Sequence, residues 1–174
     1  MGKLIILRGN SGSGKSTIAK RLQKKLGHNT MIISQDEIRK NMLHVDDGGD
    51  TPAIPLMKEL LQYGSKHSNI VILEGIMRSD WYSSLFEFAK SLYGSEVYSF
   101  YFDIPFEETL KRHLTREKSR EFGEESMRRW WVEKDFSDRL KETVITADMD
   151  IDTIIDKIYK AITLSPQELE KQLI

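Results

Sequence analysis

Gly9-Asn10-Ser11-Gly12-Ser13-Gly14-Lys15-Ser16 is the stretch that decides the fold. It satisfies the pattern G-x-x-x-x-G-K-[ST] at every fixed position. Glycines let a short run of backbone close into a concavity whose N–H groups point inward, where they meet the oxygens of a phosphate. Lys15 supplies a cation that reaches the β- and γ-phosphates, and the Ser16 hydroxyl is the ligand type used for Mg2+. A chance match in a chain of this length is on the order of 1% or less. The flanks agree. Lys3 to Leu7 is an apolar run of strand length, and Ile18, Ala19, Leu22 and Leu26 recur at helical spacing until Gly27 stops the helix that opens at about Gly14. The positive end of that helix points at the same anion. Gly9, Asn10, Ser11, Gly12, Ser13, Gly14, Lys15, Ser16 and Thr17 are therefore the candidate ATP-binding residues, with Ser16 the candidate metal ligand.

Outward from the loop, short apolar runs alternate with longer amphipathic ones, the pattern of β-α-β units and a parallel sheet. Strands are predicted at Thr30–Ser34, Asn69–Leu73, Val97–Phe102 and Thr143–Ile145. Helices are predicted at about Ile54–Lys66, with Leu56, Leu60, Leu61 and Tyr63 on one face, and at Asp80–Tyr93, Glu124–Leu140 and Asp152–Ile162. Trp81, Leu85, Phe88 and Ala89 form a helix-to-sheet stripe. Pro105 followed by Glu107 and Glu108 marks another helix start. Ser165-Pro166-Gln167-Glu168 is a capping box that opens a last helix over 166–173. Gly48 to Pro52 is a loop, and no linker splits the chain, so residues 1–174 are expected to form one domain.

The bulk composition narrows the function. With 39% hydrophobic and 30% charged residues the 174-residue chain is of the globular type. A net charge of −1 argues against a surface built for polyanions, so contact with nucleic acid is the less expected partner. The absence of cysteine excludes disulfides, thiolate metal sites and a cysteine nucleophile, and the four histidines have no metal-ligand spacing and are expected at the surface or in polar contacts. Neither a signal peptide nor a membrane-spanning run is apparent; Ile6 stands where a myristoylation motif needs Ser or Thr, and a cytoplasmic address is expected.

A phosphate loop alone does not separate kinases from GTPases, motors or switches. The guanine-reading N-K-x-D is absent, and Asp46-Asp47-Gly48-Gly49 follows no strand. Two features favour transfer to a substrate. Ser34-Gln35-Asp36-Glu37-Ile38-Arg39 directly follows the second strand, and strand C-termini line the ligand crevice of such sheets. Asp36 is thus placed to accept the proton of an attacking hydroxyl, with Arg39 one turn on for an anionic substrate group; the plainer reading is that Asp36 only caps the next helix. The second feature is the basic run Lys111, Arg112, Arg116, Lys118, Arg120, Arg128, Arg129, in which arginines can close over a phosphoryl group, against the plainer reading of a solvated charged face. Trp130 and Trp131 can stack a ring or pack the core. Arg78, just past the third strand, is a candidate acceptor contact.

With these segments the chain resembles the compact P-loop kinases of the nucleoside and nucleotide kinase type, and among them the branch of phage polynucleotide kinase, zeta toxins and chloramphenicol phosphotransferase. The resemblance rests on the loop, Asp36-x-x-Arg39 and Arg112-x-x-x-Arg116. It implies an α/β P-loop NTPase fold, a three-layer α/β/α sandwich with a five-stranded parallel sheet in the order 2-3-1-4-5 and a helical lid around 113–128. It further implies ATP and Mg2+ as cofactors, Asp36 as catalytic base, Arg39 as a substrate-phosphate contact, Arg112 on the adenine side and Arg116 at the γ-phosphate. The residues themselves add Lys15 and Arg120 to the catalytic set and Arg78 to the acceptor contacts, and leave Glu74 to hold a substrate hydroxyl or a magnesium-bound water, or simply to be hydrogen-bonded at its strand end. Glu74-Gly75 stands where many relatives carry Asp, and the lid lacks the glycine of adenylate kinases within Arg-x-x-x-Arg, which argues against that activity. The reading is an ATP-dependent kinase acting on a hydroxyl of a small molecule, such as a nucleoside (uridine, for example), an antibiotic or a similar metabolite. The alternatives are a 5′-hydroxyl polynucleotide kinase and a regulatory nucleotide-binding protein without an acceptor.

Overall fold

A computed structural model of the chain describes residues 2–115 and 123–164. Five strands, β1 (Lys3–Gly9), β2 (Thr30–Ser34), β3 (Ile70–Gly75), β4 (Val97–Asp103) and β5 (Glu142–Thr146), form one parallel sheet in the order β2-β3-β1-β4-β5. Parallel neighbours need crossover connections, and helices supply them on both faces. These are α1 (Lys15–Leu26), α2 (Ala53–His67), α3 (Ser83–Tyr93), α4 (Phe106–Leu114), α5 (Glu124–Trp130) and α6 (Ile151–Thr163).

The central strand shows why the sheet is buried twice. Leu4 and Ile6 pack on the face of α2 and α3 with Val71, Leu73, Met57, Leu61 and Phe86. Ile5 and Leu7 point to the opposite face, against Ile18, Leu22, Ile155 and Ile158 of α1 and α6. A strand covered on both sides has no polar alternation, hence the continuous apolar runs. Apolar burial of this kind contributes about 25 cal/mol per Å².

Three predicted elements differ. The helix expected over Glu124–Leu140 ends at Trp130, and Trp131 is extended with φ −67° and ψ 131°. Its continuation is held by long-range hydrogen bonds instead, described below. Within α2 the buried face is Ala53, Ile54, Met57, Leu61 and Gly64, whereas Tyr63 is 58% exposed, so Tyr63 does not share the core face. The helix expected from Asp80 begins at Ser83, because Arg78 to Tyr82 makes a turn in which Asp80 Oδ1 accepts from Trp81 N–H at 2.9 Å. Trp81 nonetheless packs with Leu85, Phe88 and Ala89 as expected. His113 is buried. The helix expected over 166–173, and most of the lid expected over 113–128, lie outside the described residues.

Candidate active site

The turn after β1 has a backbone only glycine adopts comfortably. Gly9 and Gly12 have φ of 143° and 77°, and a Cβ on Gly12 would stand 2.7 Å from the Thr109 carbonyl oxygen of α4. The loop therefore presses against α4 while curling around the start of α1. Lys15 is buried under it, its Nζ 2.8 Å from the Asn10 carbonyl oxygen and 3.1 Å from Ser13 Oγ. Thr17 is exposed on the first turn of α1. The Asn10 side chain, placed on sequence grounds among the nucleotide contacts, is turned to the chain itself: it donates to Val132 O at 2.7 Å and accepts from Val132 N–H at 3.1 Å. Arg112 Nη1 donates to the Ser13 carbonyl oxygen at 3.3 Å, and its Nε to Glu108 at 2.8 Å. The latter hydrogen bond holds the Glu108 carboxyl below the usual carboxylate range.

Glu74, at the C-terminal end of β3, is buried between two hydroxyls. Ser16 Oγ donates to one carboxylate oxygen at 2.9 Å and Ser34 Oγ to the other at 2.5 Å. Register explains the cluster, since Ser34 pairs with Glu74 across β2 and β3 while Leu7, two residues before the loop, pairs with Glu74 on the other side. Among the described residues no group of three His, Asp or Glu is placed to hold a metal ion unaided. A serine hydroxyl beside one carboxylate, with hard oxygen atoms only, does fit Mg2+ carried in on phosphate oxygens.

Asp36 enters a π-helical turn over Glu37–Met42, where its side chain caps no backbone N–H. Instead Arg39 Nη2 stands 3.5 Å from one carboxylate oxygen and Lys40 Nζ 3.2 Å from the other. Arg39 also donates to the Val45 carbonyl oxygen at 3.3 Å, while its Nε is buried with no partner. Ser16, Asp36 and Glu74 line one cavity of about 610 Å³, together with Ser34 and Lys40. Arg78 is engaged elsewhere: it grips Asp80 through Nε at 3.1 Å and Nη2 at 2.8 Å, and stacks 4.2 Å from the Trp81 ring. Arg116, Lys118 and Arg120 lie outside the described residues. Trp131 packs edge-on against Phe106, centroids 5.1 Å apart, and Trp130 is exposed.

Sequence reasoning missed two groups. Beneath the loop, Arg8 is fully buried; it donates to Met77 O at 3.0 Å, to Glu142 Oε1 at 2.7 Å and to Asp135 Oδ2 at 3.0 Å, between the rings of Phe86 and Tyr101. Asp135 also accepts from Ser79 Oγ and N–H, and its own N–H donates to Tyr101. Burial pushes the Tyr101 phenol up to about 12. These bonds, with Asn10, explain why residues 131–141 follow the loop rather than continue a helix. The one available signal was a charge at the end of an apolar strand. Beside Asp36, Gln35 donates to both Asp47 and Tyr82, and Tyr82 donates to Asp47 at 2.6 Å. Burial, then the bond to Asp47, raises the Tyr82 phenol far above its usual range.

Sheet order and loop together define a P-loop protein with the kinase-type NTPase fold. The AAA domain family matches residues 4–133, and the chain belongs to that family. No curated protein matches it in sequence. Among solved structures it is similar to shikimate kinase from Acinetobacter baumannii in complex with shikimate, at 18% identity, covering 93% of either chain, with a TM-score of 0.61. It is likewise similar to the Mycobacterium tuberculosis APS kinase in complex with AMPPNP and APS, at 19% identity over 94% of this chain and 98% of that one, TM-score 0.61. A gluconokinase from Sinorhizobium meliloti is 15% identical over 98% and 97%, also at 0.61. At such identities the likeness is one of fold.

Proposed function

We propose that the protein is an ATP-dependent kinase of the polynucleotide-kinase-like branch that transfers the γ-phosphoryl group to a hydroxyl of a small molecule, with the cytoplasm as its place of work. One observation carries the reading: Asp36, the expected base, opens onto the same cavity as Ser16 and Glu74 at the phosphate loop. Its carboxylate is held by two cations yet a third of its side-chain surface stays accessible. An acceptor hydroxyl bonded to Asp36 would share that cavity with the Ser16 end of the loop.

The division of labour follows. The loop amides and Lys15 bind and orient the phosphates, Ser16 and Glu74 would hold Mg2+, and Asp36 orients the acceptor hydroxyl and takes its proton. Bound Mg2+ supplies charge neutralisation on the phosphate oxygens. Because the transition state is loose, positioning matters more than base strength. Arg116 and Arg120 are assigned to the transferring phosphoryl group, Arg112 to the nucleotide side, Arg39 and Arg78 to the acceptor side.

The test is ADP release from ATP and Mg2+ over a panel of nucleosides, sugars, antibiotics and 5′-hydroxyl oligonucleotides. Asp36→Asn is expected to keep ATP affinity while cutting acceptor-dependent turnover by about 10²–10⁴-fold. Lys15→Ala is expected to lower turnover with every acceptor by about 10²–10³-fold. Unchanged turnover in Asp36→Asn removes its role, and ADP release that no acceptor accelerates assigns the chain to the regulatory NTPases.

A further inference from the structure

The cavity that begins at Ser16, Asp36 and Glu74 does not end there. It continues along the outer side of β2, between Ala19 and Lys20 of α1 and Leu60 of α2, under the turn that carries Ile38 and Met42. Because β2 is the edge strand, its far side is covered by no further strand among the described residues. The walls beyond the catalytic end are apolar: Met31, Ile32, Ile38, Met42 and Leu60, with Met42 58% exposed. The polar groups are Asp36, Ser34, Glu74 and Ser16 at the head, and Lys20, Glu37, Lys40 and Asn41 along the rest of the lining. At about 610 Å³ the space is in the range that holds a small molecule larger than a single sugar ring.

From this continuity we infer that the acceptor is an amphipathic alcohol: a hydroxyl at the Asp36 end and an apolar body lying in the groove along β2. The inference rests on the kinase reading, which locates the reacting hydroxyl at Asp36. The apolar side chains of the groove favour such a body. A compact polyol would leave the methionine and leucine walls wetted, and an acceptor with an anionic tail would carry its charge into an apolar channel. Methionine at two wall positions suits a body of irregular shape, since the unbranched thioether repacks without strain. Each methylene placed in the groove should strengthen binding about fourfold, the equivalent of about 0.8 kcal/mol.

The probes are ethanol, 1-butanol and 1-hexanol, titrated into the full chain carrying ¹³C-labelled methionine methyls. Expected are chemical-shift changes at the Met31 and Met42 methyls, with affinity rising about fourfold per methylene. In Leu60→Glu, checked by circular dichroism for an intact fold, the shifts should vanish. Met42→Glu gives a second reading through Met31 alone, should Leu60→Glu fail to fold. Affinity that stays flat with chain length, or shifts confined to methionines outside the groove, overturns the inference. So does a sedimentation profile showing a dimer that Leu60→Glu dissociates, which would give the groove to a second copy. The alcohol titration needs no turnover, so it decides the groove separately from the ADP-release screen. A protein that phosphorylates compact acceptors and ignores 1-hexanol is a kinase with the groove misassigned. One that binds 1-hexanol but not ATP has lost the kinase reading and, with it, the acceptor assignment.

Discussion

Two halves of one cleft face each other here, and they are built to different tolerances. On the phosphate side three polar side chains are held by short bonds: Lys15 at 2.8 Å to the loop backbone, Asn10 by a two-point bond to Val132, and Arg8 beneath by four hydrogen bonds in full burial. On the Asp36 side the contacts are longer, 3.2 and 3.5 Å, the side chains are partly exposed, and the backbone is a single π-helical turn. π-turns of this kind recur at functional positions. The contrast separates a generic task from a particular one. On the proposed kinase reading, holding triphosphate needs fixed dipoles aimed at a constant target, whereas an acceptor half must differ between enzymes that share a donor.

The largest effect should come from beneath the loop. Arg8→Ala would leave the nearly buried Glu142 carboxylate and the partly buried Asp135 carboxylate without their cation, at a cost of about 3–5 kcal/mol, a fall in Tm of about 6–20 °C for a domain of this size. Thermal denaturation checks it. A loss near 1 kcal/mol would mean that the phosphate side is no firmer than the other, and the contrast would collapse.

Next comes the hinge between the halves, Glu74. Ser34 holds one of its oxygens and Ser16 the other, so Ser34 fixes which way the carboxylate faces. If Glu74 holds the metal as proposed, removing its orienting partner costs about 10–100-fold in metal affinity. Ser34→Ala should therefore weaken ATP binding measured with Mg2+ while leaving binding measured in EDTA nearly unchanged, and excess Mn2+ should restore part of the loss. Equal weakening with and without metal would make Ser34 a general packing residue.

What could be read from the sequence follows the same division. The loop, β1 and α1 are contiguous, so motif and periodicity identify them without any knowledge of distant partners. The pairing of Asp36 with Arg39 was legible because they lie three residues apart at a strand end. Ser34 was not, because its partner Glu74 is 40 residues away and only strand register brings them together. Arg8 reads as an ordinary charge until Asp135 and Glu142, 127 and 134 residues on, are seen against it. The over-long helix at Glu124–Leu140 has the same origin: local helical pattern yields to bonds from Asn10, Tyr101 and Arg8 that no window of neighbouring residues contains. The apolar groove was equally hidden, since Met31, Met42 and Leu60 belong to three elements.

The smallest effect is the one that most sharpens the contrast. Lys40 and Asp36 are four residues apart, 3.2 Å between charged atoms, and both side chains are more than a third exposed. Pairs of this type contribute about 0.3–0.5 kcal/mol, because water screens the attraction and two mobile side chains must be ordered to form it. Lys40→Ala should therefore lower Tm by no more than about 1–2 °C, in a thermal melt run beside Arg8→Ala. Added salt should erase what difference there is, since screening acts on exposed pairs and spares buried ones, whereas the Arg8→Ala deficit should persist at every ionic strength. If Lys40→Ala instead cost more than about 1 kcal/mol, the turn carrying Asp36 would be as firmly built as the loop opposite it, and an adaptable acceptor half would no longer describe this protein.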